Sequence, residues 1–172
     1  ATNVEQIVAG LIDEGILGGF HFNSRNYGDD DLIVGASDPF QLFRIFHEIV
    51  SAELSGDARA SGCARRIAYM IDQSHCIEGK MEAMVLSVAN CQIARAKALL
   101  VDRRGLRKLQ RDGDVLGAHE AVQKAFHTDV APLLSRMRLE AGLPEDPVRA
   151  FRESGYAEKI ARERSSPAPN PA

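Results

Sequence analysis

The stretch IAYMID, residues 67–72, decides the fold, because it is a continuous apolar run that ends at a carboxylate. Such a run is typical of a parallel strand buried on both faces of its sheet. Upstream, FHFN at residues 20–23 follows two glycines and also suits a short buried strand. Amphipathic helices are predicted at residues 4–12 and, from an Asp-Pro start, at residues 38–50. The order helix, strand, helix, strand predicts alternating βα units around a parallel sheet, an α/β fold.

The sequence beyond the second strand is predicted to be almost entirely helical. The predicted helices span residues 81–101, 103–112, 115–126, 130–141, 147–153 and 156–162. Residues 56–62, bounded by glycines, are predicted to form a loop, and the Pro-rich residues 165–172 a disordered tail. A capping box is expected from Thr2 to Glu5. Two strands alone do not make a stable parallel sheet, so we expect a truncated chain whose sheet is completed by further chain or by another subunit.

Composition narrows the class of protein. The 172 residues are 45% apolar and 26% charged, as in soluble globular domains. A net charge of -3 gives no reason to expect a nucleic-acid partner, and the absence of a long apolar run or an export signal argues against a membrane partner. Cys63, Cys76 and Cys91 lack CxxC spacing. They are predicted to be buried or half-buried free thiols, which favours a reducing cytoplasm.

The residues with the most chemical potential lie at or just after the two predicted strands. These are His21, Asp29 and Asp31 in the loop beyond the first strand, and Asp72 at the end of the second. The carboxyl ends of parallel strands face the ligand site in α/β proteins. One imidazole and several carboxylates suit Mn²⁺, Mg²⁺ or Co²⁺. A strand histidine is also commonly a hydrogen-bonded core residue and a loop aspartate a solvated one, so the spacing alone leaves both interpretations open.

Two longer segments carry a family resemblance. The strings GGFHFNSR at residues 18–25, continuing into YGDDDL at 27–32, and AYMIDQSH at 68–75 resemble the last two barrel strands of bacterial L-rhamnose isomerases with broad sugar specificity. The resemblance covers most of the chain and weakens in the C-terminal helices. It implies the C-terminal portion of a (β/α)₈ TIM barrel of the xylose isomerase type. Residues 1–101 would be the last βα units, 102–164 a helical extension with oligomer contacts, and 165–172 the tail.

The same resemblance implies a role for each matching residue. His21 and Asp72 correspond to ligands of a structural metal that holds the sugar hydroxyls. Asp29 and Asp31 correspond to ligands of a second, catalytic metal, and Ser74 to a serine lining the sugar site. The cofactors implied are two divalent cations, Mn²⁺ first, with Mg²⁺ or Co²⁺ as alternatives. The family's remaining ligands come from earlier strands, which this sequence does not contain.

The implied activity is the interconversion of L-rhamnose and L-rhamnulose by a metal-assisted hydride shift, with an ene-diol route as the alternative. The implied partners are a small sugar and three further copies of the chain, in a cytoplasmic homotetramer. The isolated chain is expected to be inactive. Two other hypotheses stay open at this point: an isomerase for a different aldose, and a non-catalytic helical interaction module.

Overall fold

The structure, a computed structural model, describes residues 3–25, 31–72 and 78–165. Both strands lie in the first part of the described chain, between helices, and the elements after the second strand are all helices. The elements in chain order are α1 (Val4–Asp13), β1 (Gly19–Phe22), α2 (Pro39–Glu53), α3 (Ala58–Ala64), β2 (Ala68–Ile71), α4 (Lys80–Leu99), α5 (Arg103–Arg111), α6 (Val115–His127), α7 (Ala131–Glu140), α8 (Pro147–Glu153) and α9 (Tyr156–Ser165).

The two strands pair in parallel, as predicted. The register runs from Gly19 opposite Ala68 to Phe22 opposite Ile71. One further ladder bond, from the Asp72 amide to the Phe22 carbonyl at 2.9 Å, extends the pairing past the end of β2. Within the described residues the sheet has these two strands. An eight-stranded barrel therefore stays a prediction.

Among the described residues, helices cover one face of this sheet in part, with Tyr69 still 46% exposed there, and leave the other face uncovered. Phe22 and Tyr69 stack with Phe46 of α2, with ring centroids 5.6 and 6.1 Å from the Phe46 ring. Side chains alternate between faces along a strand, so His21 and its register partner Met70 lie on the opposite face. Both of these side chains are exposed. The prediction that the second strand is buried on both faces is wrong for the described residues, because helices pack against one face only.

The core surrounds helix α2, which packs against α1, α3 and α4 and, through Phe46, against Phe22 of β1. Asp38 caps α2 by accepting a hydrogen bond from the Gln41 amide at 2.8 Å, and Pro39 occupies the first turn. Phe43 and Val50 are fully buried and Phe46 nearly so, which confirms the predicted apolar face of this helix.

Three predictions about local structure are wrong. Residues 58–64 form helix α3 rather than a loop, because the Asp57 carboxylate caps the segment through the Ala60 amide at 2.7 Å. Helix α1 starts after Asn3 without a side-chain capping bond, and Glu5 is buried against Arg44 of α2 instead of closing a capping box. Ser165 belongs to α9, not to a tail; residues 166–172 lie outside the described residues, as does Thr2.

The later helices pack back onto α4. Arg152 of α8 donates to Glu82 at 2.6 Å, and Arg138 of α7 donates to Gln92 at 2.6 Å. Of the helices that the structure describes, no single one is both long and apolar enough to cross a membrane, although α4 and α5 together pass on length and composition with a 63° bend between them.

Candidate functional site

His21 and Asp72 meet at the carboxyl end of the two strands. Asp72 follows β2 by one residue and shares a face with Met70, and therefore with His21. The His21 Nδ1 atom lies 3.6 Å from the Asp72 Oδ2 atom, and the two side chains are 64% and 53% exposed. An imidazole and a carboxylate thus stand together on the uncovered face, where a ligand can reach them.

A second pair, Asn23 and Asp31, lies just beyond β1. The Asn23 amide nitrogen donates to Asp31 Oδ1 at 2.8 Å. Asp31 is only 7% exposed and has a φ of 34°, in the left-handed region. Its carboxylate is therefore a buried group, fixed by a hydrogen bond and by an unusual backbone conformation, rather than a solvated loop side chain.

The loop that carries Asp31 is closed at its base by Ser24 and Leu32. The Ser24 amide donates to the Leu32 carbonyl at 2.9 Å, and the Leu32 amide donates back to the Ser24 carbonyl at 2.6 Å. The Ser24 hydroxyl also accepts a hydrogen bond from the Gly35 amide at 2.8 Å. These bonds hold both ends of the loop in one place.

Helix α4 holds the same loop from the other side. The Val34 amide donates to the hydroxyl of Ser87, a side chain with no exposure, at 3.2 Å. The Asn90 side-chain amide donates to the Val34 carbonyl at 2.8 Å. Because both main-chain groups of Val34 are bound to α4, the strand end, the loop and the helix form one connected hydrogen-bonded unit.

The structure describes only some of the predicted site residues. It brings His21 to Asp72, and it places Asp31 beside Asn23. Asp29 and Ser74 lie outside the described residues. Among the residues that are described, no group of three or more His, Cys, Asp and Glu side chains is placed to hold a metal ion.

Asn23 was not among the predicted site residues, although the sequence contains a signal for it. It lies two residues after His21, so the period of a strand places both side chains on the same face. A polar residue in that position, at the carboxyl end of a strand, belongs with the candidate site.

The other histidine and cysteine side chains that the structure describes lie on helices, and Cys91 of α4 lines a pocket with Phe22 and Ile71 on the covered face of the sheet. His47 on α2 packs near the ring of Phe43, and burial, with a smaller contribution from the Arg103 charge, lowers the pKa of His47 to about 4. Cys63 is buried, and burial raises the pKa of the half-buried Cys91 to about 11. Neither thiol is therefore an activated nucleophile. Cys76 lies outside the described residues.

Comparison with known proteins gives two close relatives and no matching family model. The chain is 47% identical, over 163 residues and 95% of its length, to a probable sugar isomerase of Mesorhizobium japonicum. It is 45% identical, over the same number of residues, to a probable sugar isomerase of Rhizobium meliloti. The chain spans 37% of the length of each of these relatives. Over nearly its whole length it is therefore similar to a part of two probable sugar isomerases.

Proposed function

We propose that this chain is the C-terminal part of an aldose–ketose isomerase that interconverts L-rhamnose and L-rhamnulose. The observation that carries the proposal is the 47% identity to a probable sugar isomerase over 163 of the 172 residues. A match of that extent includes both strands and the loop between His21 and Asp31. The choice of L-rhamnose rests on the resemblance of the two strand segments.

The described donor atoms fit a divalent cation. Ligand atoms that each lie about 2.1 Å from one cation are at most about 4.2 Å apart, and His21 Nδ1 and Asp72 Oδ2 are 3.6 Å apart. One neutral imidazole and one carboxylate are also a donor set that Mn²⁺, Mg²⁺ and Co²⁺ accept. The same distance also suits an ion pair between a protonated imidazole and the carboxylate. The geometry thus supports a metal site, and Mn²⁺ binding distinguishes the two arrangements.

The proposal gives each described residue one task. His21 and Asp72 would hold a structural cation on the uncovered face, and Asp31, with Asp29, would hold a catalytic one. When bound, two such cations, Mn²⁺ first, supply Lewis acidity to the sugar oxygens and lower the pKa of a bound water. His21 and the carboxylates then act by position and charge rather than by carrying protons. The connected unit of β1, loop and α4 would keep the carboxylates in place.

A hybrid enzyme tests the proposal. The matching segment of the Mesorhizobium japonicum relative is replaced by this chain, and conversion of L-rhamnose and a panel of other aldoses is measured with and without Mn²⁺. We expect Mn²⁺-dependent conversion in which L-rhamnose is preferred. Preference for another sugar would correct the substrate, and absence of any conversion by a hybrid whose parent is active would contradict the proposed function.

The ligand assignment is tested in the same hybrid. Asp72→Asn should weaken Mn²⁺ binding at least about tenfold, because the neutral amide loses most of the charge attraction. Asp13→Asn, which alters an exposed carboxylate of α1, is the matched control and should leave Mn²⁺ binding unchanged. Equal metal content and equal rates in both variants would remove Asp72 from the site.

The homotetramer is also a proposal. Its support is the apolar exposure of the later helices, where Leu116, Met137 and Leu139 are 75%, 55% and 58% exposed. Sedimentation equilibrium of the hybrid would give its mass directly.

A further inference from the structure

We propose that Asn23 is a positioning residue, which fixes the direction of the Asp31 carboxylate through the hydrogen bond from its Nδ2 atom to Asp31 Oδ1. The proposal rests on the proposed function in one respect, since it takes Asp31 to be a ligand of a divalent cation. The bond itself is 2.8 Å long and joins residues eight positions apart across the closed loop.

The need for such a residue follows from the burial of Asp31. A carboxylate that is 7% exposed requires hydrogen-bond donors in place of water. An asparagine amide supplies such a donor without adding a positive charge of its own, whereas an arginine or lysine in the same place would add one.

Asn23 is itself held rigidly enough to set a direction. On its N-terminal side is Phe22, the last residue of β1, whose carbonyl accepts the ladder bond from the Asp72 amide. On its C-terminal side is Ser24, which exchanges two main-chain bonds with Leu32. The Asn23 side-chain amide therefore extends from a fixed main chain. Its acceptor, Asp31, directly precedes Leu32, whose main chain is bonded to Ser24.

A simpler role for the same bond would be closure of the loop without any effect on the site. A double-mutant cycle separates the two roles. Asn23→Leu removes the donor at similar size, and Asp31→Gly removes the carboxylate while tolerating the φ of 34°. Amide exchange at Leu32 is measured in the 172-residue chain, and Mn²⁺ affinity in the hybrid isomerase, for both single variants and the double variant.

We expect Asn23→Leu to speed exchange at Leu32 and to weaken Mn²⁺ binding about tenfold. In the Asp31→Gly background the same substitution should change either quantity less than about twofold, because its target is gone. Asn3→Leu is the matched control, since Asn3 makes an exposed side-chain bond to Gln6 at 3.3 Å, on α1. It should change neither quantity.

Each result bears on one proposal or the other. Equal effects of Asn23→Leu with and without Asp31 would overturn the positioning role. A second result would overturn it too: Asn23→Leu speeds amide exchange but leaves Mn²⁺ affinity unchanged, although Asp31→Gly weakens that affinity. If Asp31→Gly leaves Mn²⁺ affinity unchanged, the metal part of the proposed function fails. The positioning role, which takes Asp31 to be a ligand, then fails with it, whereas an unchanged Mn²⁺ affinity in Asn23→Leu alone would overturn only the positioning role.

Discussion

His47 shows at the scale of one residue how burial is linked to pH. Its ring lies near Phe43 inside the packing of α2, and burial, assisted by the Arg103 charge, lowers its pKa to about 4. The unfolded chain takes up a proton at this histidine near pH 6.5, whereas the folded chain does so only near pH 4. The free energy of unfolding therefore falls as pH drops from 6.5 to about 4. Below about pH 4 this histidine causes no further loss.

His47→Leu should remove this pH dependence. We expect the free energy of unfolding of the unaltered chain to fall by about 2 kcal/mol more than that of the variant between pH 7 and pH 4.5. Urea unfolding at several pH values measures the difference. His127→Gln, at an exposed histidine of α6, is the control and should keep the dependence of the unaltered chain. A constant difference between His47→Leu and the unaltered chain across this range would contradict the prediction.

At the scale of elements, a partly buried ion pair joins helices α2 and α4 and contributes to the stability of the fold. Arg95 donates from two nitrogens to the two oxygens of Glu53, at 3.1 and 2.8 Å. The Glu53 side chain is only 15% exposed, so loss of Arg95 leaves a largely buried charge without its main donor.

We predict that Arg95→Met lowers the free energy of unfolding by roughly 1–3 kcal/mol. Arg136→Met removes a pair of the same chemistry, Arg136 with Glu140, but on the exposed surface of α7. That control should cost less than about 1 kcal/mol. Denaturant unfolding compares the two variants, and equal losses would mean that burial of Glu53 does not matter.

The elements themselves could be predicted wherever a period or a cap was strong. The apolar face of α2 and its Asp38-Pro39 start, and both strands, agree with the structure. Helix α3 could not be identified because Gly56 and Gly62 suggested a loop, whereas the Asp57 cap and the buried Cys63 outweigh them in the fold. The pairing of Glu5 with Arg44 is a contact between helices, which local sequence patterns do not contain.

The site could be predicted in part for a similar reason. His21 and Asp72 were placed together because parallel strands end at one edge, and the structure puts them 3.6 Å apart. The bonds of Val34 to Ser87 and Asn90 span more than fifty positions and could not be found from spacing. They depend on how α4 packs, which is a tertiary property.

At the scale of the whole molecule, the uncovered face of the sheet predicts self-association of the isolated chain. Met70 is 46% exposed on that face, and β2 pairs only with β1 among the described residues. We expect sedimentation velocity to show association that increases with concentration, and no isomerase activity. Met70→Lys should reduce the association.

Leu116→Lys tests the second exposed apolar surface, since Leu116 is 75% exposed on α6. Association that responds to Leu116→Lys and not to Met70→Lys would place the contact on the helices. A stable monomer with measurable turnover of L-rhamnose would contradict the prediction altogether.

The two bonds between Val34 and α4 have a consequence for recombination between related genes. A crossover between the codons of Val34 and Ser87 would join a loop from one parent to a helix from the other. The Ser87 hydroxyl and the Asn90 amide that bond to Val34 would then come from a different parent than Val34 itself. Breakpoints before residue 24 or after residue 90 leave these partners together. In a library of shuffled genes, active progeny should therefore inherit residues 24–90 as a single block.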